Sequence, residues 1–221
     1  MKKNKAFTVV EVVVVLFIIG LISSLAALGF SKANRQRLLY ETGRIIKSGV
    51  SNARDYALFG QEEEGKYPCG YGLAVSKDSE VARILYVSSQ DRITAMESDQ
   101  TCDEYIASPS IPKLKAMSSQ EGQSWTSNVA VATIGSEGFS APNNNCAVVL
   151  FSAPRGGAYY CDCPGNCDFG NDTDCDCRVF SDDGDSVNEN YYNIGLKLEE
   201  GILTDSANWR VFASGNVEEV Q

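Results

Sequence analysis

An unbroken apolar stretch near the start of the chain constrains its fold more than any other feature. Residues 7–30 contain one ionisable side chain, that of Glu11. A helix of this length rises about 36 Å at roughly 1.5 Å per residue, which exceeds the hydrocarbon thickness of a bilayer. A secretory signal peptide has a shorter apolar core and a small-residue cleavage site after it, whereas this stretch continues into a polar helical pattern. The sequence therefore predicts a retained membrane-spanning helix over residues 7–30.

The residues around the start of this helix resemble a known processing signal. A basic leader at residues 1–5 is followed by Ala6, Phe7, a threonine, two valines and Glu11. This order is similar to the signal of type IV pilins and type II secretion pseudopilins, in which a prepilin peptidase cuts after the small residue and methylates the new N-terminal phenylalanine. The resemblance implies cleavage between Ala6 and Phe7. The chain departs from the family at Ala6, where glycine is usual, and at Leu28, where many members have proline.

Glu11 has two interpretations. A carboxylate within the hydrocarbon region costs about 2.5 to 3.5 kcal/mol on insertion scales, so such groups tend to be paired and functional. Alternatively, Glu11 lies close enough to the helix start to reach the headgroups, where a helix N-terminus favours an anion. The family resemblance favours the first interpretation, because it implies that Glu11 of one subunit meets the N-terminal amine of the next.

Composition argues against catalysis and against nucleic acid as a partner. The chain has no histidine, which removes His-based acid–base catalysis, Ser-His triads and His-containing metal sites. It also lacks a phosphate-binding glycine loop and a Gly-x-Ser-x-Gly elbow. From Tyr56 onward there are 26 acidic and 10 basic residues, a local net charge of −16 within a total of −10. Because nucleic-acid binding depends on Lys and Arg contacts to phosphate, we expect no such binding by this part of the chain, no enzymatic activity and no required cofactor.

The cysteines indicate an oxidising compartment. An even number confined to one side of the apolar helix is typical of a disulfide set. We therefore place the N-terminus in the cytoplasm and the domain outside, and we expect the cysteines from Cys146 to Cys177 to pair among themselves, leaving Cys69 and Cys102 as partners. The eight predicted disulfide cysteines are Cys69, Cys102, Cys146, Cys161, Cys163, Cys167, Cys175 and Cys177.

The remaining pattern predicts an α+β fold. Residues 31–60 continue the helix with an amphipathic pattern that ends at Gly60. The small residues Gly49, Ala53 and Ala57 lie on one face, which should let a sheet pack closely against the helix. Residues 90–127 have weak patterns, and no regular structure is predicted there. We expect the long N-terminal helix to pack on an antiparallel β-sheet meander. The predicted strands cover residues 71–75, 81–87, 129–134, 147–151, 158–161, 194–198 and 209–212, with a last short strand after a turn at 214–216.

Within the pilin family, the domain is most similar to the H-type minor pseudopilins and related minor pilins. The similarity lies in the helix end at 52–57, the strand at 70–73, the strand at 148–151 and the Pro-Arg-Gly sequence that follows it at 154–156, and the turn at Gly215. The predicted organisation is a leader at 1–6, a transmembrane part at 7–30, an amphipathic part at 31–60 and an extracytoplasmic β domain at 61–221.

Residues 161–190 form a Cys- and Asp-rich insertion within that domain. Five cysteines within seventeen residues could bind zinc, which accepts four thiolates. The Cys-x-Cys pairs lack the two-residue gap of common zinc knuckles, and an oxidising compartment favours disulfides. Calcium is a second alternative. Asp172, Asp174 and Asp176 alternate as in a calcium loop, and Asp183 lies where its last acidic ligand would fall, but Cys177 occupies the position that needs glycine. A solvated acidic loop is therefore preferred over a calcium site.

These features predict a structural subunit. We expect a pilin-like, minor subunit of a type IV pilus or type II secretion pseudopilus, which contacts other subunits through its N-terminal helix, prepilin peptidase and the membrane. One alternative is a permanently anchored binding or adhesion module that uses the acidic loop. Another is a DNA-uptake pilin, for which the basic residues lie only along 32–54.

Overall fold

The computed structural model separates the chain into two compact units, residues 1–38 and residues 39–221. The described residues are 9–76, 81–90, 92–97, 101–106, 112–117, 123–124, 129–136, 139–140, 146–163, 169, 171, 173–179, 191–200 and 203–220.

The described residues form three helices and thirteen strands. The helices are α1 (Val9–Phe59), α2 (Arg92–Glu97) and α3 (Cys102–Ile106). The strands are β1 (Gly70–Ser76), β2 (Val81–Val87), β3 (Lys113–Ala116), β4 (Gln123–Ser124), β5 (Val129–Ser136), β6 (Phe139–Ser140), β7 (Cys146–Ser152), β8 (Ala158–Cys163), β9 (Thr173–Asp174), β10 (Asp176–Val179), β11 (Tyr191–Glu200), β12 (Leu203–Phe212) and β13 (Val217–Val220).

The first unit contains the apolar half of α1. Its large side chains are exposed, as shown by Val9 at 81%, Phe17 at 67% and Leu25 at 70%. In the part of the chain that the structure describes, no helix meets the combined length and hydropathy required of a membrane span.

The second unit begins with the remainder of α1, which buries one face. Leu39, Ile46, Val50, Ala53 and Ala57 are at most 4% exposed, and their spacing of three, four and seven residues places them on one side of a helix. The helix ends at a left-handed glycine as predicted. Gly60 has a φ of 75°, and its N–H donates to the Tyr56 carbonyl at 2.9 Å, which satisfies an end carbonyl in the manner of an αL cap.

The described strands of the β domain form two antiparallel sheets. The larger has the order β10-β8-β7-β1-β2-β3-β9, with β4 also paired to β2, and the smaller has the order β13-β12-β11-β5-β6. The predicted combination of a long helix and an antiparallel sheet is confirmed, but the order differs from a simple meander. β1 lies between β2 and β7. Both faces of β1 and both faces of β7 are buried, as expected of strands at central positions in a sheet.

The helix approaches the sheets through glycines. A Cβ added at Gly49 would lie 2.7 Å from Leu73 Cδ1 on β1, and one added at Gly43 would lie 2.0 Å from Trp209 Cζ2 on β12. Gly49 was predicted to allow such close packing. Gly43 was not, because its partner is 166 residues away in the sequence and leaves no local signal.

The opposite face of the larger sheet covers a second core. Leu85, Leu114, Leu150 and Phe169 are fully buried there together with cysteines. Residues 90–127, which the sequence pattern left unassigned, contain α2, α3, β3 and β4. These elements are short and are held by tertiary contacts, so they show no extended periodicity.

Candidate functional site

The predicted processing residues Ala6 and Phe7 lie outside the described residues. Described structure starts with α1 at Val9, and Glu11 lies in the first turn of this helix with an exposed side chain. An acidic side chain at this position complements the helix dipole. The local arrangement is therefore a helix start that carries an anion and is followed by exposed apolar side chains.

Among the described residues, three disulfides with both partners visible join six of the eight predicted cysteines. Cys69 bonds to Cys102 with a Cα–Cα distance of 5.1 Å, which ties α3 to the segment that enters β1. Cys161 bonds to Cys177, and Cys163 to Cys175, with Cα–Cα distances of 4.0 and 4.4 Å.

The two remaining cysteines are Cys146 and Cys167. Cys146 is also disulfide-bonded, whereas Cys167 lies outside the described residues. No described cysteine is free.

Strand register explains one of these bonds. Cys161 on β8 and Cys177 on β10 are directly opposite in an antiparallel pair, where side chains approach most closely at non-hydrogen-bonded positions. Cys163 and Cys175 are both fully buried. Disulfide bonding, rather than thiolate ligation of zinc, accounts for these four cysteines.

The described part of the Cys- and Asp-rich insertion is more regular than a loop. Its first residues, 161–163, are the last residues of β8, and later residues form β9 and β10. β9 and β10 are the two end members in the strand order of the larger sheet. Among the described residues, no group of three or more potential metal ligands occurs.

The predicted calcium residues are only partly visible. Asp174 is exposed on β9, and Asp176 begins β10. Asp172 and Asp183 lie outside the described residues. Calcium binding therefore stays an untested alternative to the solvated acidic loop.

A buried polar cluster joins α3 to the β7–β8 hairpin. The Tyr159 hydroxyl donates to Asp103 Oδ1 at 2.8 Å, and the Ser152 hydroxyl donates to the same oxygen. Ser152 is fully buried and Tyr159 is 4% exposed. A Cβ at Gly157 would lie 2.6 Å from Asp103 Oδ1, so glycine leaves room for the carboxylate.

The cluster keeps its tyrosine protonated. Burial raises the pKa of Tyr159 well above its usual range, and the hydrogen bond to Asp103 and the charge of Asp103 raise it further. A proton held this firmly suits a structural hydrogen bond rather than general acid or base catalysis, for which a pKa near the working pH is best.

A capping box positions Asp103 at the start of α3. The Thr101 N–H donates to Glu104 Oε2 at 2.8 Å, and the Glu104 N–H donates to Thr101 Oγ1 at 3.1 Å. This reciprocal pair satisfies two free N–H groups at the helix start. The Thr-x-x-Glu spacing is a sequence signal that could have revealed α3, whereas the partners of Asp103 are 49 and 56 residues away.

A second polar cluster fixes the turn that follows α1. Lys115 Nζ on β3 lies 2.6 Å from Glu64 Oε1, and Glu64 has a left-handed φ of 52°. The hydrogen bond with Glu64 raises the pKa of Lys115. Burial raises the pKa of Tyr86 beside them, and the negative charge of Glu64 raises it further. The cluster links the end of the helix to the larger sheet.

Comparison with protein families adds one finding. Residues 1–27 match the prokaryotic N-terminal methylation motif. No curated protein and no solved structure matches the chain significantly. The motif match supports the predicted type IV pilin-like prepilin signal at the start of the chain. The described fold is α+β, with an N-terminal helix and antiparallel sheets.

Proposed function

We propose that this chain is a minor, pilin-like structural subunit of a type IV pilus or type II secretion pseudopilus. Its precursor is held in the cytoplasmic membrane by α1 with the N-terminus inside, is cut between Ala6 and Phe7, and then enters an extracytoplasmic filament. The single observation that carries the proposal is the methylation motif at residues 1–27 leading into a helix whose apolar side chains are exposed.

The exposed apolar half of α1 supports assembly. The thirteen large apolar side chains from Val9 to Leu25 are each 48–81% exposed. A helix that is apolar all round is stable only when a membrane or other helices cover it. Covering such side chains yields about 1.5 to 3 kcal/mol for each one buried from full exposure, so thirteen side chains that start 48–81% exposed yield on the order of 10 to 25 kcal/mol in total. Lipid supplies this cover to the precursor, and helices of neighbouring subunits supply it in a filament.

The disulfides support the proposed location of the domain. Disulfides persist in oxidising compartments and are rare in the cytosol. The bonds at Cys69–Cys102, Cys161–Cys177 and Cys163–Cys175 are therefore consistent with a domain outside the cytoplasmic membrane.

Processing provides the first test. Co-expression with a prepilin peptidase should remove the first six residues and methylate Phe7, as read by intact-mass measurement. Ala6→Gly should be cut at least as completely, whereas a bulky Ala6→Leu should stay uncut. A wild-type chain that keeps Met1 in its native membrane would remove the pilin proposal and support a permanently anchored binding module.

Assembly provides the second test, through Glu11→Val. Removal of the carboxylate should ease membrane insertion by up to about 3 kcal/mol. Filament incorporation should fail, because loss of one member of a buried ion pair typically costs about 3 to 5 kcal/mol. The measurement is the share of protein in membrane and sheared-filament fractions.

Glu41→Val is the matched control. Glu41 lies on the same helix, and its exposed side chain is outside the apolar half. It should leave incorporation close to the wild-type value. Equal incorporation of Glu11→Val and wild type would contradict the assembly role of Glu11.

A further inference from the structure

A closed ring of five residues links α3 to the adjoining ends of β1 and β7. The disulfide joins Cys69, which precedes β1, to Cys102, the first residue of α3. Asp103 follows Cys102, and its carboxylate accepts a hydrogen bond from the Ser152 hydroxyl at the end of β7. Ala153 follows Ser152, and its N–H donates to the Cys69 carbonyl at 2.8 Å. The ring thus consists of one disulfide, two hydrogen bonds and the chain between neighbouring residues.

The disulfide holds Asp103 within this ring. It brings the Cα atoms of Cys69 and Cys102 to 5.1 Å, and Asp103 is the next residue along the chain. Without the bond, the two cysteines are joined only through a sequence separation of 33 residues, and closing that segment costs conformational entropy. The hydrogen bond between Asp103 and Ser152 must then offset this cost as well. It therefore depends on the disulfide through contacts inside the ring.

The other described contacts of α3 are modest. The helix has five residues, whereas an isolated helix shorter than about 12 residues is marginal in water. Ile106 is fully buried, the Tyr105 hydroxyl donates to Ser89 Oγ at 2.8 Å, and the Tyr159 hydroxyl donates to Asp103. One aliphatic side chain and these side-chain hydrogen bonds remain to dock α3 when the disulfide is absent.

The docked arrangement shields its own disulfide. Cys69 is fully buried and Cys102 is 6% exposed, and both belong to the core that contains Ile106. Thiol–disulfide exchange needs direct attack of a thiolate on sulfur. The bond must therefore form while α3 is away from the sheet, and it is protected from thiols once α3 has docked.

We infer that Cys69 and Cys102 form a redox switch for the docking of α3. With the disulfide formed, α3 is docked, and Asp103 accepts hydrogen bonds from the buried hydroxyl groups of Ser152 and Tyr159. With two thiols, α3 leaves the sheet more often, and both hydroxyl groups then lose their acceptor. The polar cluster is thus stably assembled only in an oxidising compartment. This inference goes beyond the proposed function and does not depend on filament assembly.

Oxidation is a thiol–disulfide exchange with a small-molecule or protein disulfide as oxidant. One of the two cysteine thiolates attacks the oxidant, which gives a mixed disulfide and releases one oxidant thiol. The second cysteine thiolate attacks the mixed disulfide at the protein sulfur and releases the other oxidant thiol. The two cysteines lose two electrons and two protons, and one oxidant disulfide becomes two thiols.

Hydrogen exchange on the full chain in detergent micelles tests the switch. In the Cys69→Ser/Cys102→Ser variant, peptides over 102–106 should exchange about tenfold to a hundredfold faster than in the oxidised wild type, since a disulfide contributes on this scale. Peptides over 71–75 and 147–150, from the interiors of β1 and β7, should keep their protection. Cys161→Ser/Cys177→Ser is the matched control, because it removes another disulfide of the same sheet and should leave the exchange at 102–106 unchanged.

A double-mutant comparison tests whether the hydrogen bond depends on the disulfide. Asp103→Ala should raise the exchange rate at 102–106 about tenfold in the oxidised wild type, since it removes the acceptor of two buried hydroxyl groups. Added to Cys69→Ser/Cys102→Ser, it should raise the rate further by less than about twofold.

Three results would overturn the inference. Unchanged exchange at 102–106 in the serine pair would show that α3 docks without the disulfide. A full additional effect of Asp103→Ala in the serine pair would show that the cluster forms independently of the bond. Loss of protection in β1 and β7 together with α3 would show that the disulfide holds the whole domain.

Discussion

At the scale of single residues, Asp103 connects elements that the sequence keeps far apart. Its carboxylate accepts hydrogen bonds from Ser152 and Tyr159, and both donors are almost fully buried. A buried donor without an acceptor costs about 1 to 3 kcal/mol. Asp103 therefore stabilises the packing of α3 against the β7–β8 hairpin.

Asp103→Ala should lower the free energy of unfolding by about 2 to 4 kcal/mol, because it leaves two buried hydroxyl groups without their acceptor. Glu104→Ala is the control. It removes a neighbouring acid and one half of the capping box, and should cost about 1 kcal/mol. Urea denaturation followed by circular dichroism measures both. Equal losses would mean that the cluster contributes no more than the cap.

Tyr159 should remain protonated when exposed tyrosines have ionised. Its pKa is raised in the folded state, whereas the unfolded chain ionises near pH 10. Its stabilising contribution is therefore complete below about pH 10 and is lost as the pH rises toward the folded pKa.

Phenolate absorbance up to about pH 11 provides the measurement. Tyr159→Phe should leave this absorbance unchanged in the folded protein, because Tyr159 contributes none of it. A decrease of one tyrosine equivalent in Tyr159→Phe would contradict the raised pKa.

At the scale of elements, the contact between α1 and the sheets depends on Gly43 and Gly49, which have no side chain to keep the helix and the sheets apart. Gly43→Ala should destabilise the domain by about 1 to 3 kcal/mol or more, because its Cβ would overlap the rigid ring of Trp209. Gly49→Ala should cost less, since Leu73 presents the movable end of its side chain. The measurement is the urea midpoint of unfolding.

A double-mutant cycle separates steric overlap from helix propensity. Trp209→Leu should reduce the cost of Gly43→Ala, since the ring is absent. Gly20→Ala, with no atom within 4 Å of the added Cβ, should leave the urea midpoint unchanged. If Gly43→Ala is neutral or stabilising in the wild-type background, the close approach of helix and ring is not present in solution.

Long elements could be predicted from sequence, and short ones could not. The apolar periodicity of α1 and the alternating or apolar runs of β1, β2, β5 and β7 are local signals. α3 has five residues, and its position depends on a capping box and on the Cys69–Cys102 bond. For β9 and β10, the sequence indicated a cysteine-rich acidic insertion but not its pairing with two different strands.

The candidate site likewise has one part that local sequence patterns predict and one part that they do not. The methylation signal and the cysteines are compact patterns, so residue type and spacing were enough to identify them. The cluster at Asp103 depends on pairs 49 and 56 residues apart, and such pairs appear only after the sheet is assembled.

At the scale of the whole molecule, the folded protein should contain no free cysteine thiol. Alkylation of the unfolded, non-reduced protein should label none of the eight, and purified protein should contain no stoichiometric zinc. Alkylation after reduction is the positive control. Labelling of four or more cysteines together with bound zinc would contradict disulfide bonding.

The pairing of β1 with both β2 and β7 in the larger sheet also implies a delay in strand pairing during synthesis. β1 pairs with β2 at once, but β7 on its other side follows about 70 to 80 residues later. At about 5 to 20 residues per second, this delay is roughly 4 to 16 s. Throughout that interval, a strand that is buried on both faces in the finished domain has an unpaired edge. Such an edge can pair with another chain, so the period before β7 emerges is when this protein is most exposed to aggregation.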